Sequence, residues 1–576
     1  MAGLIGALAV GGLASCASVP ASPPLPPIVP LAHGPRELSD DEQIAQVMNR
    51  LTFGPRPGDF ERIKQIGVDR WVGEQLVPAR IDDNVPAELI ASYPAEFTSD
   101  STLVATWHYP ELLRKANPLM PDSIALRQAY QARGRIVRDV INARMTRAIM
   151  SQRQLQEVMT DFWENHFSVY AGKGDLPQWI PSYDRQIRAH ALGRFRDLLG
   201  VVAHSPAMLY YLDNWESRAD SGYVTLGDLQ GEAKAQRAYE EYEIKRRRVV
   251  VDPYGRVVAT GATLRPPAPY RPPARRGRGL NENYGRELLE LHTVGVNGGY
   301  TQQDVIDAAR ILTGWTIHDI AHDGRFQFRA DMHDATPKVV LGHRFAGGRG
   351  QDEGEELLDF LARQPATARF IAYKLARRFV SDTPSVELVR SAAETFLQTD
   401  GDISAVLRTI IASPEFFSRA AYRAKVKSPV EFLASTFRAL GGHADTAYAF
   451  NVVLTQLGEP VFGHIAPDGY PETGDAWINT GAILSRINFG VAVASDRVRG
   501  VSVAAWPIAR DVTATPRAQQ VTTVIRTILE GTASPETARV LEEGTTSTTG
   551  GPPPGNASSL AQVVGLALGT PEFQRR

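Results

Sequence analysis

The densest run of chemically capable side chains is Asp161-Phe162-Trp163-Glu164-Asn165-His166-Phe167. At helical spacing Asp161 and Glu164 share a face with Asn165 beside Asp161, while Phe162 and His166 stand one above the other on another face. Two carboxylates so placed could hold a metal or divide acid and base roles. A histidine stacked on phenylalanine suits a satisfied core residue as well as a ligand. The second run is Asn281-Glu282-Asn283-Tyr284-Gly285-Arg286-Glu287-Leu288-Leu289-Glu290-Leu291-His292. Here Glu287 and Glu290 have the i, i+3 spacing of ligands in metal-binding helices. His292 lies about 200° around a 3.6-residue helix from Glu290 and shares its face with Leu288 and Leu289. One ion could take the glutamate pair or the histidine. The competing reading is a ladder of i, i+4 ion pairs, Glu282 with Arg286 and Arg286 with Glu290.

Smaller candidates are His204 before its helix, Asp213-Asn214 after it, and His333-Asp334 with Lys338. The catalytic candidates are therefore Asp161, Glu164, His166, His204, Glu287, Glu290 and His292. Those for a metal are Glu287, Glu290, His166 and His292, and a divalent ion is the cofactor they would hold. The sequence carries no Gly-x-Ser-x-Gly elbow, phosphate-binding loop, His-Glu-x-x-His or dinucleotide glycine fingerprint, which lowers the odds of the common hydrolase, kinase and dehydrogenase classes.

These residues are expected on a mainly α, multi-helical body with a small β-hairpin element near 320–345. Ser39-Asp40-Asp41-Glu42 predicts a capping box ahead of Ile44, Val47, Met48 and Leu51. Residues 135–170 read as long helices, Ser205-Pro206 as an N-cap with proline at the first helical position, and Thr301 as a further cap. Phe326 and Phe328 alternate, as strand residues do, ahead of Val339-Val340-Leu341. Ile411-Ala412-Ser413-Pro414-Glu415-Phe416-Phe417 is echoed by Leu568-Gly569-Thr570-Pro571-Glu572-Phe573-Gln574, two copies and so too few for a solenoid. The expected units are an N-terminal helical region over 37–215, a basic and partly disordered insertion over 216–279, a helical region with the β element over 280–542, and a flexible break with a terminal helix over 543–576. Inside the insertion Lys234 to Arg278 carries twelve Lys/Arg against four Asp/Glu, and Val249 to Val258 reads as a hairpin. Such a patch could meet an anionic polymer or lipid headgroups, or be a solvated loop.

Cys16 is the only cysteine in 576 residues. The body therefore has no disulfide, thiolate metal site or cysteine nucleophile. Residues 2–15 are uncharged and apolar, too short for the ~20 residues of a membrane span but suited to a signal segment. Leu13-Ala14-Ser15-Cys16 is similar to the lipobox of bacterial lipoproteins, which makes residues 1–16 a lipoprotein-type signal segment and Cys16 the lipidation site. No Lys or Arg precedes the apolar run, so a start codon farther upstream is expected. Ala17, rather than aspartate, after the cysteine resembles the pattern of outer-membrane lipoproteins. Residues 17–36, with seven prolines, read as an extended tether. A net charge of −2 gives no general bias toward nucleic acid, and none is expected as a partner.

The segments Asn49-Arg50-Leu51-Thr52-Phe53-Gly54-Pro55, Asp161 to Phe167, His204 to Asn214, Gly279 to Gly295, Tyr300 to Trp315, His333 to Gly342, Phe370 to Val380 and Gly469 to Asn488 resemble, in order, the bacterial family of domain of unknown function 1800. The resemblance implies export, often by twin-arginine signals, and a location at the periplasmic face of the outer membrane or the cell surface. It also implies a neighbour, an exported sulfatase-like protein of the domain of unknown function 1501 family, but no settled reaction. The insertion at 216–279 departs from the compact family pattern. Two functional readings stand: an exported envelope lipoprotein that binds or presents a partner protein or envelope polymer, and a metal-assisted hydrolase with a carboxylate/histidine site between helices.

Overall fold

The computed structural model describes residues 25–31, 34–83, 85, 87–107, 115, 117–119, 121–260, 264–274, 279–444, 450–544 and 559–576. Cys16, with the rest of residues 1–24, lies outside them. The chain is mainly α, with three two-stranded antiparallel ribbons. One contiguous apolar cluster reaches from Leu31 to Phe573.

Helix Asp40–Leu51 begins as its sequence predicts: Ser39 and Glu42 cap one another, and Ile44, Val47, Met48 and Leu51 turn inward. Reciprocal caps also open helices Leu226–Arg247, Gln302–Ile311 and Pro429–Ala439, where Thr225, Thr301 and Ser428 face Asp228, Asp304 and Glu431. At the centre lies the 29-residue helix Asp122–Met150. Against it pack helices Gln154–His166, Ile180–His190, Pro429–Ala439 and Phe450–Leu457. In Gln154–His166 the residues Leu155, Val158, Met159, Phe162 and Trp163 are buried. The Trp163 indole donates to the Ala191 carbonyl at 2.9 Å, so this large ring is buried without an orphaned donor.

The expected β element is two ribbons rather than one hairpin. β3 (Trp315–Ile317) pairs with β4 (Phe326–Phe328), and β5 (Lys338–Val340) with β6 (His343–Phe345). The remaining ribbon, β1 (Val249–Val251) with β2 (Val257–Thr260), is the predicted hairpin of the insertion. That insertion is more regular than its composition suggests, because it begins with the 22-residue helix Leu226–Arg247. The tether also differs from expectation over its last part. Leu31 N–H donates to the Asp69 carbonyl at 3.2 Å, and Arg408 donates to the Val29 carbonyl at 2.7 Å, so residues 25–31 lie on the body. The sequence echo is a structural one: Phe416 N–H donates to Ser413 Oγ and Phe573 N–H to Thr570 Oγ1, each 3.3 Å, and both phenylalanines are buried. Among the described residues no helix is long and apolar enough to cross a membrane.

Helix Asn283–Glu287 crosses helix Gln302–Ile311 so closely that a Cβ on Gly285 would stand 2.7 Å from the Ala309 nitrogen and 2.8 Å from the Val305 oxygen. Both obstacles are backbone and cannot swing aside. Gly285→Ala is therefore expected to cost about 1–3 kcal/mol, read as a lower urea midpoint, whereas Gly222→Ala, which meets open space, leaves it unchanged.

Candidate functional site

The first predicted cluster sits in a group of buried charges. Helix Gln154–His166 sends Asp161 and Glu164 toward Arg144 of the long helix, which donates to Asp161 at 3.0 Å and also pairs with Glu164. Behind them Asp184, fully buried on helix Ile180–His190, lies 3.3 Å from Arg147 and 3.9 Å from Arg144. Burial raises the Glu164 carboxyl well above its ordinary range, and Asp184 raises it further against the pull of Arg144. Asp161 is likewise raised by burial, which Arg144 and Arg378 only partly offset.

On the other wall Glu431, the cap of helix Pro429–Ala439, receives Arg378 at 2.8 Å and Arg576 at 3.0 Å. Burial would raise its carboxyl, but the two guanidiniums win and hold it at about 2. Glu459 accepts from the Val430 N–H at 2.9 Å and has no guanidinium so close. Burial, with the charge of Asp161, pushes it up to about 8. Between the walls is a cleft of about 70 Å³, which also touches Glu472, Tyr470 and Trp477. A loop forms its rim. Asn165 clamps that loop from both sides, its amide donating to the Tyr470 carbonyl at 2.8 Å and its oxygen accepting from the Tyr470 N–H at 2.6 Å. The clamp requires glycine at 469, whose φ is +74° and whose missing Cβ leaves room for the Asn165 backbone.

His166 points away from this cleft. Its ring lies parallel to Phe162, at 8° with centroids 6.3 Å apart, as the spacing predicts. Nε2 faces the His292 carbonyl at 3.2 Å and Nδ1 faces the Lys374 ammonium at 3.1 Å, so Nε2–H donates and Nδ1 accepts. This neutral ring has its pKa driven well down by burial, then by Lys374 and His292. His292 is 0% exposed and neither ring nitrogen has a hydrogen-bond partner among the described residues. Burial, with Lys374, lowers its pKa to about 3.

The second cluster corrects the helical-wheel argument made for it. Leu288–His292 is a π-helix, with i→i+5 bonding, so a 3.6-residue period does not describe it. His292 does go inward with Leu288 and Leu289. Glu290 accepts from the Tyr300 hydroxyl at 3.0 Å instead of pairing with Arg286, which lies 3.3 Å from Glu282 and 2.9 Å from Gln302. Burial and the neighbouring Glu290 push Glu287 up to about 7.

His204 is elsewhere again. Its Nε2 is 2.7 Å from Glu355, its Nδ1 is 2.8 Å from the Gly200 carbonyl, and its ring stacks on Trp315 at 4.5 Å. The His204 hydrogen bond, with Arg196 adding to it, lowers Glu355 to about 2. Asp213 has φ +58° and receives Lys173 at 2.7 Å. His333 is wholly buried, with Nδ1 on the Thr313 carbonyl at 2.9 Å and Nε2 3.3 Å from Glu353. Lys338 reaches the same Glu353 at 2.5 Å, and Arg310 binds Asp334 at 2.8 Å. This second buried network ties β5 to its neighbouring helices.

The predicted site residues thus fall into separate neighbourhoods: Asp161 with Glu164, His166 with His292, Glu287 with Glu290, and His204 alone. Among the described residues no group of three or more His, Cys, Asp or Glu is placed to hold a metal. The proposed ligand set of Glu287, Glu290, His166 and His292 is not assembled. The π-turn sends His292 inward while Glu287 and Glu290 are only half-buried, and the Lys374 ammonium on His166 opposes a cation there. Sequence reading missed Arg144, Arg378, Glu431, Glu459, Glu472 and Arg576. Only the Ser428-x-x-Glu431 capping pattern and the spans holding Arg378 and Glu472 gave any signal.

Residues 46–575 match the family described as "Protein of unknown function (DUF1800)", and the chain belongs to it. No curated protein and no solved structure matches the chain.

Arg144→Ala strips the nearest cation from Asp161 and Glu164. A loss of about 3–5 kcal/mol is expected in chemical denaturation, since one partner of a buried ion pair is left behind. The Arg144→Ala/Glu164→Gln double variant should recover part of it. Glu459 supplies a pH signature. Its folded value of about 8 lies above the ordinary carboxylate value of about 4.5, so the folded state holds the extra proton between those limits and stability falls as pH rises through them. Glu459→Gln is expected to remove about 3–4 kcal/mol of that decline between pH 5 and pH 8, measured by urea titration at each pH. A wild-type and variant difference that is flat across this range contradicts the assignment.

Proposed function

We propose that this chain is an exported envelope lipoprotein, anchored through lipid on Cys16, whose cleft binds a polar segment of a partner without turning it over. The observation that carries the binding reading is the pairing of cleft carboxylates with guanidiniums: Asp161 and Glu164 with Arg144, and Glu431 with Arg378 and Arg576. Alternating fixed charges beside Tyr470 and Trp477 suit recognition of polar and charged groups. The exported sulfatase-like neighbour is the first partner to try.

Two measurements test the reading. In cells, Cys16→Ser is expected to move the protein from the carbonate-washed membrane fraction to the soluble fraction; retention with membranes counts against the anchor. In solution, the sulfatase-like protein is titrated onto the unlipidated chain, and Tyr470→Ala is expected to weaken the complex at least tenfold. Failure of both wild type and variant to bind removes this partner.

A hydrolase reading draws support from one feature, the separation of Glu459 at about 8 from Glu431 at about 2 within one cleft. Carboxyls pushed apart in this way are what acid–base catalysis uses. On that reading Glu459 is the acid, Glu459→Gln abolishes turnover of an ester or glycoside panel, and chelator leaves the rate unchanged. Activity that vanishes with chelator and returns with a divalent ion would instead restore the metal-assisted version.

A further inference from the structure

The insertion is built as an arm. Its base is fixed to the body: Leu226 N–H donates to the His333 carbonyl at 3.0 Å, Gly227 N–H to the Ala330 carbonyl at 2.8 Å, and Ala335 N–H to the Val224 carbonyl at 2.9 Å. From there helix Leu226–Arg247 runs about 33 Å at 1.5 Å per residue. Only Asp228, in its first turn, is buried, so the rest of the helix projects from the core. The chain returns along it. Leu264 meets the Tyr242 hydroxyl at 3.4 Å, and the Tyr270 hydroxyl donates to Asp228 at 2.9 Å. The β1–β2 ribbon therefore stands at the far end.

That end carries an ordered arrangement of chemistry. Val251 pairs with Val257 across the ribbon, and Val249 pairs with Thr260 beyond a register irregularity between Val250 and Val251. These valines are 55%, 59% and 55% exposed for Val251, Val257 and Val249. Tyr254 at the turn is 82% exposed, and Ile244 in the last helical turn 72%. Immediately behind are Lys245, Arg246, Arg247 and Arg248, with Arg256 on the ribbon. Their carboxylate partners lie within four residues along the chain, and the cation of each pair is exposed: Lys245–Glu241 at 3.4 Å, Arg246–Glu243 at 3.3 Å, Arg247–Glu243 at 3.6 Å and Arg256–Asp252 at 3.4 Å. Such pairs are weak and exchange readily for other anions.

We propose that this tip docks on an anionic lipid bilayer. An aliphatic and tyrosine tip backed by a collar of cations matches the depth order of a membrane surface, where acyl chains lie beneath a layer of phosphates. A nucleic acid or other polyanion would use the collar and have no use for the valines. The arm works whether or not Cys16 carries lipid, so it can be tested apart from the anchor.

The experiment uses the full chain carrying Cys16→Ser and floats it with vesicles of phosphatidylglycerol in phosphatidylcholine or of phosphatidylcholine alone. At least tenfold more binding to the anionic vesicles is expected, falling as salt is raised. The Val251→Asp/Val257→Asp variant is expected to lose about tenfold of it. The Arg246→Glu/Arg247→Glu variant should lose at least as much, together with the salt dependence. Tyr254→Trp supplies a direct reading: added indole emission that shifts to the blue and is quenched by brominated lipid. No preference for anionic vesicles, or no blue shift, overturns the proposal. So does tight retention on heparin that the valine substitutions leave unchanged when vesicle binding is absent. Circular dichroism of each variant is expected to match wild type, since the altered side chains are exposed.

Discussion

Everything around the cleft depends on one constraint: two or three guanidiniums must neutralise more carboxylates than they can satisfy at once. Arg144 serves Asp161 and Glu164 while lying 3.9 Å from Asp184, and Arg378 and Arg576 share Glu431. Removing charges from water is costly, and the cost is recovered only where geometry is tight and partners are complete. The helices that carry these residues are therefore fixed relative to one another by charge as well as by packing. The long central helix can be nearly featureless in its apolar pattern and still be held in one orientation, because Arg144 and Arg147 must meet acids on helices Gln154–His166 and Ile180–His190. Burial also explains why the carboxyls of Glu164 and Glu459 are raised in a site rich in arginine.

The two buried polar networks have different characters. Around Glu353 the charges are matched: Lys338 and the Arg349 N–H meet one carboxylate, with His333 3.3 Å away, and Asp334 takes Arg310. The network acts as a rivet between a ribbon and helices. Around Asp161 the charges stay unmatched beside a small cavity with aromatic residues on its rim. An open, polarised cleft is where a ligand can complete what the protein leaves unfinished.

Much of this was legible in the residues taken alone. Ser39 with Glu42 and Thr301 with Asp304 cap helices because short-range hydrogen bonding decides such sites, and the Phe162–His166 stack follows from helical geometry. The parts that were not legible depend on long-range or non-standard backbone structure. Nothing near Arg144 announces that it will face Asp161, since its partner lies across a turn and its importance comes from burial. Arg378 and Arg576 reach the cleft from opposite ends of the C-terminal half. The π-turn at Leu288–His292 breaks the assumption on which a helical wheel rests. The 22-residue helix of the insertion was hidden for a related reason: a helix polar on all sides has no apolar period to detect.

The same cleft sets an order on assembly. Gln46 donates to the Phe416 carbonyl and Asn49 to Glu530, and Glu431 is completed by Arg576, so the parts that close the body lie far apart in the chain. Contacts of such separation form late, because the loop between them must be closed before they stabilise anything. During synthesis Arg144, Asp161 and Glu164 emerge long before Arg378, Glu431 and Arg576. Until then one wall of the cleft exists without the other, and burying its charges is unfavourable. Arg144 alone then faces Asp161 and Glu164, and Asp161 gains its second cation, Arg378, only when the later half of the chain is made.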